Sequence, residues 1–251
     1  DCVKREVPVL GSHEPLDYGA AQAARLPEGS ATVEEVTASL VDYFKGLTIW
    51  GHPRTQINVV PPPSISSLIA TVLTGLYNPN LAWDEYSHKV ALAEVEAVAM
   101  SAALMGYDPA RASGVFTFGG TATTLYGVKV GLEKALPGAM YDGVGAGAVI
   151  FASDASHYCR YNIAGWLGLG TKHLIAIPTD PRNSMRIDLL RDHARATLQS
   201  GRPIAAIIAT LGTTDAFGLD DLAAIVALRD ELVSEFKLPY RPHVHADAVI
   251  G

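Results

Sequence analysis

The chain has 251 residues, 49% of them hydrophobic, and its 26 acidic and 19 basic side chains give a net charge of −7 at pH 7. This length allows one large domain with a sizeable core. Scattered arginines and lysines in an acidic chain argue against nucleic acid as a partner, because phosphate binding needs clustered positive charge. No apolar run approaches the roughly 18 residues of a membrane helix, so no membrane association is predicted. Two distant cysteines, Cys2 and Cys159, predict neither a disulfide framework nor a zinc site and favour a reducing, cytoplasmic location.

The first part of the chain is predicted to be irregular and then helical. Residues 1–31 are rich in proline, glycine and alanine without a clear period and predict an irregular arm. Thr32-Val33-Glu34-Glu35 is a capping-box pattern that predicts the start of a helix. Three consecutive prolines at 61–63 exclude helix and central strand there. Ser64 is a candidate cap for a helix through about Tyr77, and a long alanine-rich helix is predicted from about Asp84 to Met105.

After Gly106 the pattern changes to strands that alternate with helices. Short apolar runs bounded by glycine, proline or aspartate predict strands at Val115–Phe118, Ala148–Ala152, His173–Ile177, Ile204–Thr210 and His243–Ala246. Helices are predicted between them at about 121–135, 156–167, 186–199 and 219–236. This alternation predicts an α/β fold with a mostly parallel sheet flanked by helices, preceded by the helical and irregular N-terminal segment. Ligands of such sheets bind at the carboxyl ends of the strands.

Gly119-Gly120-Thr121 follows the first predicted strand and opens a helix. Free amides and the helix dipole at such a position attract an anion, and Thr121 can add a hydroxyl donor. The same residues also suit an ordinary tight turn with a threonine N-cap. The motif matches neither a P-loop nor the dinucleotide-binding glycine pattern, so both interpretations stay open from these residues alone.

Two further polar motifs follow predicted strands. Ser156-His157 is either a serine N-cap with a partly buried histidine or an imidazole that stacks on a flat ligand and moves protons. Gly212-Thr213-Thr214 is either a turn or a pair of hydroxyls that hydrogen-bond a ligand.

Asp247 is the strongest single candidate for a functional residue. A carboxylate carried by an apolar strand must be paired or hydrogen-bonded, because an unpaired buried charge is costly. Its partner is an arginine, a helix N-terminus or a cationic ring nitrogen of a ligand. No metal site is predicted.

In this order, the four motifs resemble those of the group II pyridoxal-phosphate-dependent amino-acid decarboxylases, which have the aspartate-aminotransferase fold (fold type I). The likeness runs from about residue 45 to the end of the chain. It implies pyridoxal 5′-phosphate as cofactor, with Gly120 and Thr121 at the phosphate, His157 stacked on the ring and Asp247 at the pyridine nitrogen. His157 and Asp247 are thereby the implied catalytic residues, and the implied cofactor-binding set is completed by Thr213, Thr214 and Ala248.

The resemblance extends upstream to Gly51-His52-Pro53-Arg54 and Glu94-Val95-Glu96, which are similar to the substrate-side loop and to the long helix before the large domain. It implies a homodimer, an amino-acid substrate and three weaker substrate-side residues, His52, Arg54 and Asn58. The implied domains are an N-terminal arm and helix, residues 1–45, and a partial cofactor-binding large domain, residues 46–251.

The chain departs from the family pattern in three ways. The phosphate loop continues Ala122-Thr123-Thr124, where many relatives have an acidic residue and an asparagine. Val249 follows Asp247-Ala248, where a second small residue is usual near the ring. The Schiff-base lysine should follow the aspartate segment, yet all seven lysines precede Asp247, and we interpret His88-Lys89 as an imitation of the family's His-Lys pair. We therefore expect a segment beyond Gly251, continuous or separate, to carry the lysine and a small C-terminal domain.

The function that the resemblance implies is decarboxylation of an α-amino acid, which would need that further segment for activity. Three alternatives remain open from the sequence. The first is a carbon–carbon lyase of the sphingosine-phosphate lyase type, the second a non-catalytic α/β binding or dimerisation fragment, and the third an unrelated phosphate-binding domain.

Overall fold

The computed structural model describes residues 6–55, 60, 62–145 and 147–250. The chain divides into two compact units, Asp1–Leu76 and Tyr77–Gly251. In the part of the chain that the structure describes, no helix has both the length and the apolar character needed to cross a membrane.

The first unit contains helices α1 (Tyr18–Gln22) and α2 (Val33–Asp42) and nearly all of α3 (Ile65–Tyr77), and no residue of these helices is buried. The capping box before α2 is confirmed, because the Glu35 amide donates to the Thr32 hydroxyl at 3.2 Å and the Thr32 amide donates to the Glu35 carboxylate at 2.8 Å. Ser64 caps α3 as predicted, since it accepts from the Ser67 amide at 3.2 Å. In the described part of the arm predicted as irregular, residues 6–31, the structure has the short α1 and an isolated antiparallel bridge between Val9 and Thr48.

The long helix predicted from Asp84 to Met105 was wrong as one element. The structure has α4 (Asp84–Ser87) and α5 (Val90–Leu104), separated at His88. His88 has φ 43° and ψ −128°, which turns the chain out of the helical conformation and interrupts the hydrogen-bond ladder. Because histidine rather than glycine or proline occupies this position, the composition gave no sign of the break.

The rest of the second unit alternates helices with strands. The helices are α6 (Gly120–Ala135), α7 (Ala139–Asp142), α8 (Cys159–Trp166), α9 (Ile187–Gln199) and α10 (Leu222–Glu235), with a 3₁₀ turn at Thr171–His173. The strands are β1 (Val149–Ser153), β2 (Leu174–Ile177), β3 (Ile204–Thr210) and β4 (His243–Asp247). These four strands pair in parallel, in the order β2-β1-β3-β4, so the predicted parallel α/β sheet is confirmed.

The strand predicted at Val115–Phe118 was wrong. This segment makes no ladder with any described strand, and its side chains are exposed by 54% at Val115, 66% at Phe116 and 80% at Phe118. The Phe116 amide instead donates to the Glu94 carboxylate at 2.7 Å. An apolar run bounded by glycine favours an extended conformation, but a strand also needs a neighbouring strand, and the local pattern carries no information about that.

Helices cover both faces of the sheet. Val128 and Leu132 of α6 and Ile163 of α8 pack on one face, against residues such as Ile150 and Ile208. The second face packs against α9 and α10, with Phe151 and Ile207 in contact with Leu190, Ile225, Leu228 and Leu232. The strands β1 and β3 are buried along their whole length, which explains why they read as continuous apolar runs.

Two glycines let α6 lie close against β3 and β4. A Cβ atom added to Gly131 would be 2.5 Å from the Ala205 carbonyl oxygen, and one added to Gly127 would be 2.4 Å from Nδ1 of His245. No larger side chain fits there without movement of the helix or the strand. This close seating places the N-terminus of α6 beside the carboxyl end of β4.

Candidate cofactor-binding site

The carboxyl ends of β3 and β4 are the base of the candidate site. Thr210 and Asp247 are register partners at these ends, and the Leu211 amide donates to the Asp247 carbonyl oxygen at 2.8 Å. The Asp247 side chain is half-buried. Parallel strands therefore deliver this carboxylate to the sheet edge, as the sequence predicted.

A cleft of about 240 Å³ lies between this edge and the start of α6. It brings together three of the predicted site residues, Gly120, Asp247 and Ala248. The other residues that line it are Thr123, Thr124, His245, Ala246 and Val249. A Cβ atom on Gly120 would be 3.0 Å from Cγ2 of Val249, so the valine that departs from the family pattern narrows the cleft against the helix terminus.

The N-terminus of α6 carries no side-chain cap. Gly119, with φ 88°, is the N-cap residue, and its carbonyl oxygen accepts from the Ala122 and Thr123 amides at 3.1 and 3.3 Å. The interpretation of Thr121 as an N-cap was therefore wrong. Uncapped first-turn amides and the positive end of the dipole of this 16-residue helix favour an anion at the cleft.

Cys159, which no sequence pattern singled out, lies where α6, α8 and β4 meet. Burial raises the pKa of the Cys159 thiol and the nearby Asp247 carboxylate raises it further, whereas hydrogen bonds with Thr121 and Thr124 and the charge of Arg160 lower it. These interactions place the predicted phosphate residue Thr121 and the predicted ring partner Asp247 around one buried side chain. The thiol is free and serves as packing between them.

His157 precedes α8 on the turn after β1 and is half-buried, as predicted. Its Nδ1 accepts from the Cys159 amide at 3.2 Å, which leaves Nε2 as the protonated nitrogen of the neutral ring. The ring lies 4.1 Å from that of Tyr158, at an interplanar angle of 34°. The serine N-cap interpretation was wrong, because Tyr158 is the N-cap residue and its side chain makes no capping hydrogen bond.

The two threonines after β3 differ in their surroundings. Thr213 is buried, and its hydroxyl accepts from the Gly218 amide at 2.9 Å, which is the turn role considered for it. Thr214 is half-buried. Neither residue lines the cleft between α6 and β4.

The predicted substrate-side residues lie in the first unit. His52 is buried, and its Nδ1 accepts from the Arg54 amide at 3.0 Å. The Arg54 guanidinium is exposed and donates to the Glu6 carbonyl oxygen at 2.7 Å. Asn58 lies outside the described residues.

Asp220 is a buried carboxylate that the sequence argument missed. It accepts from the Thr210 amide at 2.8 Å and from the Met185 amide at 2.6 Å, and so holds the end of β3. Burial raises the pKa of Asp220, although the two hydrogen bonds oppose this shift. Its neighbour Asp221 caps α10, and two adjacent aspartates before a helix give no sign in the sequence of any role besides capping.

Two histidines lie on the same face of β4 as Asp247. Burial lowers the pKa of His243 to about 4, with further lowering from Lys134, His245 and Arg229. Burial also lowers the pKa of His245, which the charge of Asp247 partly offsets. Both rings are therefore neutral at pH 7. Nε2 of His245 is buried and has no hydrogen-bond partner among the described residues.

The chain is similar to known proteins over most of its length. The family description "Pyridoxal-dependent decarboxylase conserved domain" matches residues 20–251. An L-2,4-diaminobutyrate decarboxylase from Rhizobium meliloti (strain 1021) is 31% identical over 179 residues, which cover 71% of this chain and 35% of that protein. An acidic amino acid decarboxylase from Xenopus tropicalis is 28% identical over 179 residues, covering 69% of this chain and 35% of that protein.

Among solved structures, mouse CSAD has the same fold, with a TM-score of 0.82 and 22% identity over 96% of this chain and 49% of that chain. The chain thus spans about a third of these two relatives and about half of the solved protein. The match to the family description covers nearly the whole chain, including the residues that line the cleft. The chain belongs to the pyridoxal-dependent decarboxylase family.

Proposed function

We propose that this protein is a pyridoxal-phosphate-dependent decarboxylase, a carboxy-lyase that removes the α-carboxylate of an amino acid as CO₂. The observation that carries the proposal is the cleft in which an uncapped helix N-terminus lies beside a carboxylate at a strand end. Family membership and two relatives named as amino-acid decarboxylases support the same chemistry.

The residues of the cleft fit the cofactor that the family implies. A phosphate suits the uncapped amides of α6, and a protonated ring nitrogen suits the Asp247 carboxylate. The small residues Gly120, Ala246 and Ala248 leave room for a flat ring between them. Pyridoxal 5′-phosphate, when bound, supplies the electron sink for the carbanion that loss of CO₂ leaves.

The remaining roles in this proposal belong to the chain's own side chains. Gly120 and Thr121 hold the phosphate, and Asp247 keeps the proton on the ring nitrogen. His157 stacks on the ring, since its Nδ1 is already engaged by the Cys159 amide and its orientation is thereby restricted. Thr213 or Thr214 hydrogen-bonds the cofactor or the substrate from outside the described cleft lining, and Ala248 lies beside the ring.

The proposal assigns the Schiff-base lysine to a segment beyond Gly251. Of the residues that line the cleft, none is a lysine. Lys134 lies at the far end of α6, and Lys89 just before α5. This chain spans about half of mouse CSAD, so that relative is long enough to contain such a further segment. Activity would then depend on both parts.

The substrate class, the assembly and the cellular location of the protein are also part of the proposal. The relatives include a decarboxylase for L-2,4-diaminobutyrate and one for acidic amino acids, so the substrate class stays an α-amino acid. His52, Arg54 and Asn58 are proposed on the substrate side of a homodimer, with the domains divided at residues 45 and 46. A cytoplasmic location stays the prediction from the low cysteine content.

Product analysis of the full-length protein tests the proposed reaction. With pyridoxal 5′-phosphate added, we expect an α-amino acid such as L-2,4-diaminobutyrate or glutamate to yield equal amounts of CO₂ and amine. An aldehyde product without CO₂ would instead support the carbon–carbon lyase alternative. Borohydride reduction and peptide mapping should place the phosphopyridoxyl label beyond Gly251, and a label on one of the seven lysines of this chain would contradict the assigned anchor.

A further inference from the structure

Three buried hydroxyls link the ends of β1 and β3. The Ser153 and Ser156 hydroxyls are 3.1 Å apart, and the Ser156 and Thr210 hydroxyls are 2.8 Å apart. The three residues are exposed by only 0%, 6% and 2%. We call Ser153, Ser156 and Thr210 the hydroxyl bridge.

The hydroxyl bridge joins the two sides of the proposed cofactor site. Ser156 directly precedes His157, the proposed stacking residue, and Thr210 is the register partner of Asp247, the proposed ring partner. One hydrogen bond, between residues 54 positions apart in sequence, therefore connects the turn that carries the His157 imidazole to the strand pair that carries the Asp247 carboxylate.

The turn that carries His157 is also held from its other side. The Arg160 guanidinium donates to the carbonyl oxygens of Ser156 and Asp154, the latter at 3.0 Å, and to the Tyr161 hydroxyl at 3.3 Å. Arg160 is only 7% exposed, and no carboxylate bonds it among the described residues. The charged Arg160 donors therefore hold the backbone of the turn, and the Asp154 amide donates to the Ile177 carbonyl oxygen of β2 at 2.9 Å. The Ser156 hydroxyl is the side-chain link from the turn to β3.

Two other buried threonine hydroxyls among the described residues bond within their own helix. The Thr197 hydroxyl donates to the His193 carbonyl oxygen one helical turn away, at 2.8 Å, and the Thr124 hydroxyl donates to that of Gly120 at 3.1 Å. Such local bonds meet the need of a buried hydroxyl without linking distant parts of the chain. The pairing of Ser156 with Thr210 goes beyond that need, because it couples two elements.

We propose that the hydroxyl bridge is a positioning device, in which Thr210 sets the orientation of the His157 turn relative to Asp247 through Ser156. The proposal rests on the proposed function, in which a flat cofactor lies between these two residues. Without the bridge, Arg160 still holds the turn by its backbone, but the direction in which His157 leaves it is less restricted.

Thr210→Val and Ser156→Ala each abolish the hydrogen bond between these two hydroxyls with little change of shape, and the double variant removes both hydroxyls. Thr197→Val is the matched control, since it also removes a buried threonine hydroxyl but one bonded within α9. Thr210→Ser keeps the hydroxyl and loses only the methyl group. Two measurements follow on the full chain: the ring resonances of His157 by NMR with labelled histidine and no cofactor, and calorimetric titration with pyridoxal 5′-phosphate.

We expect Thr210→Val and Ser156→Ala each to shift or broaden the His157 ring resonances and to weaken cofactor binding by about 3- to 10-fold, the equivalent of one buried hydrogen bond. The double variant should be no weaker than the weaker single variant, because the two residues share one bond. Thr197→Val and Thr210→Ser should match the parent protein in both measurements.

Unmoved His157 resonances in folded Thr210→Val would overturn the positioning role. So would an equal disturbance in Thr210→Ser, because packing rather than the hydroxyl would then explain the effect. If the parent protein bound no pyridoxal 5′-phosphate, the proposed function would fail, while the resonances would still decide whether the bridge orients His157. If Thr210→Val did not fold, Ser156→Ala against Thr197→Val would decide by the same criteria.

Discussion

Replacing Gly131 with alanine measures how closely α6 is seated on the sheet. The added Cβ atom would be 2.5 Å from the Ala205 carbonyl oxygen, 3.0 Å from its carbonyl carbon and 3.1 Å from the His243 Cβ. The nearest atoms belong to the backbone of the buried central strand β3, which cannot rotate away as the end of a flexible side chain could. The helix or the strand must therefore shift.

Overpacking of this kind costs about 1–3 kcal/mol, and the clash with backbone places Gly131→Ala toward the upper part of that range. Gly165 of α8 provides the matched control, since it is also helical and a Cβ atom there would meet nothing within 4 Å. At Gly165 the gain in helix propensity should dominate and stabilise the protein by about 0.4–1 kcal/mol.

Urea denaturation of the two variants and the parent, followed by circular dichroism, gives the difference in unfolding free energy. We expect opposite signs, with Gly131→Ala less stable and Gly165→Ala more stable than the parent. Because α6 carries the proposed phosphate site, Gly131→Ala should also weaken binding of pyridoxal 5′-phosphate. A Gly131→Ala protein as stable as the parent would refute the close seating of α6 on β3.

Three further changes test neighbouring features. Asp220→Asn leaves one of two buried backbone amides without an acceptor and should destabilise the protein by about 2 kcal/mol, as measured by urea denaturation; unchanged stability would contradict the role of this carboxylate. The pKa of His243 is lowered in the folded protein to about 4, so its contribution to stability is present above the ordinary value of 6.5 and is lost as pH falls toward 4. Between pH 7 and pH 5 the parent should thus lose more stability than His243→Gln, and equal losses would argue against a buried neutral ring. Val249→Ala relieves the narrow approach to Gly120, so calorimetry should show tighter binding of pyridoxal 5′-phosphate with stability within about 0.5 kcal/mol of the parent; weaker binding would show that Val249 contacts the cofactor favourably.

Much of the second unit could be predicted from sequence because its strands are buried apolar runs bounded by turn residues. Ile204–Thr210 is buried at every position, so its composition alone indicated a central strand. Val115–Phe118 has a similar composition but pairs with no strand of the described residues, and strand pairing depends on distant parts of the chain. The break at His88 was missed for a different reason, since a positive φ at histidine leaves no mark in composition.

The candidate site, like the fold, could be predicted from sequence only in part. The alternation of strands and helices predicted Asp247 at the carboxyl end of a parallel strand, whereas the strand expected before the glycine loop is absent from the described residues; Gly120 and Asp247 nevertheless line one cleft. The caps predicted at Thr121 and Ser156 were wrong because the threonine interacts with Cys159 and the serine pairs across the sheet with Thr210. Side-chain hydrogen bonds between elements depend on tertiary packing, so neither these nor the role of Asp220 was visible in the local pattern.

Calorimetric titration of pyridoxal 5′-phosphate into the parent protein and into Asp247→Ala tests the central claim most directly, with circular dichroism to confirm that both are folded. The half-buried carboxylate at the end of β4 is proposed to hold the cofactor's ring nitrogen, so we predict binding to the parent and loss of affinity in the variant. Equal affinity in the two proteins, or no binding to the parent, would contradict the proposed cofactor site.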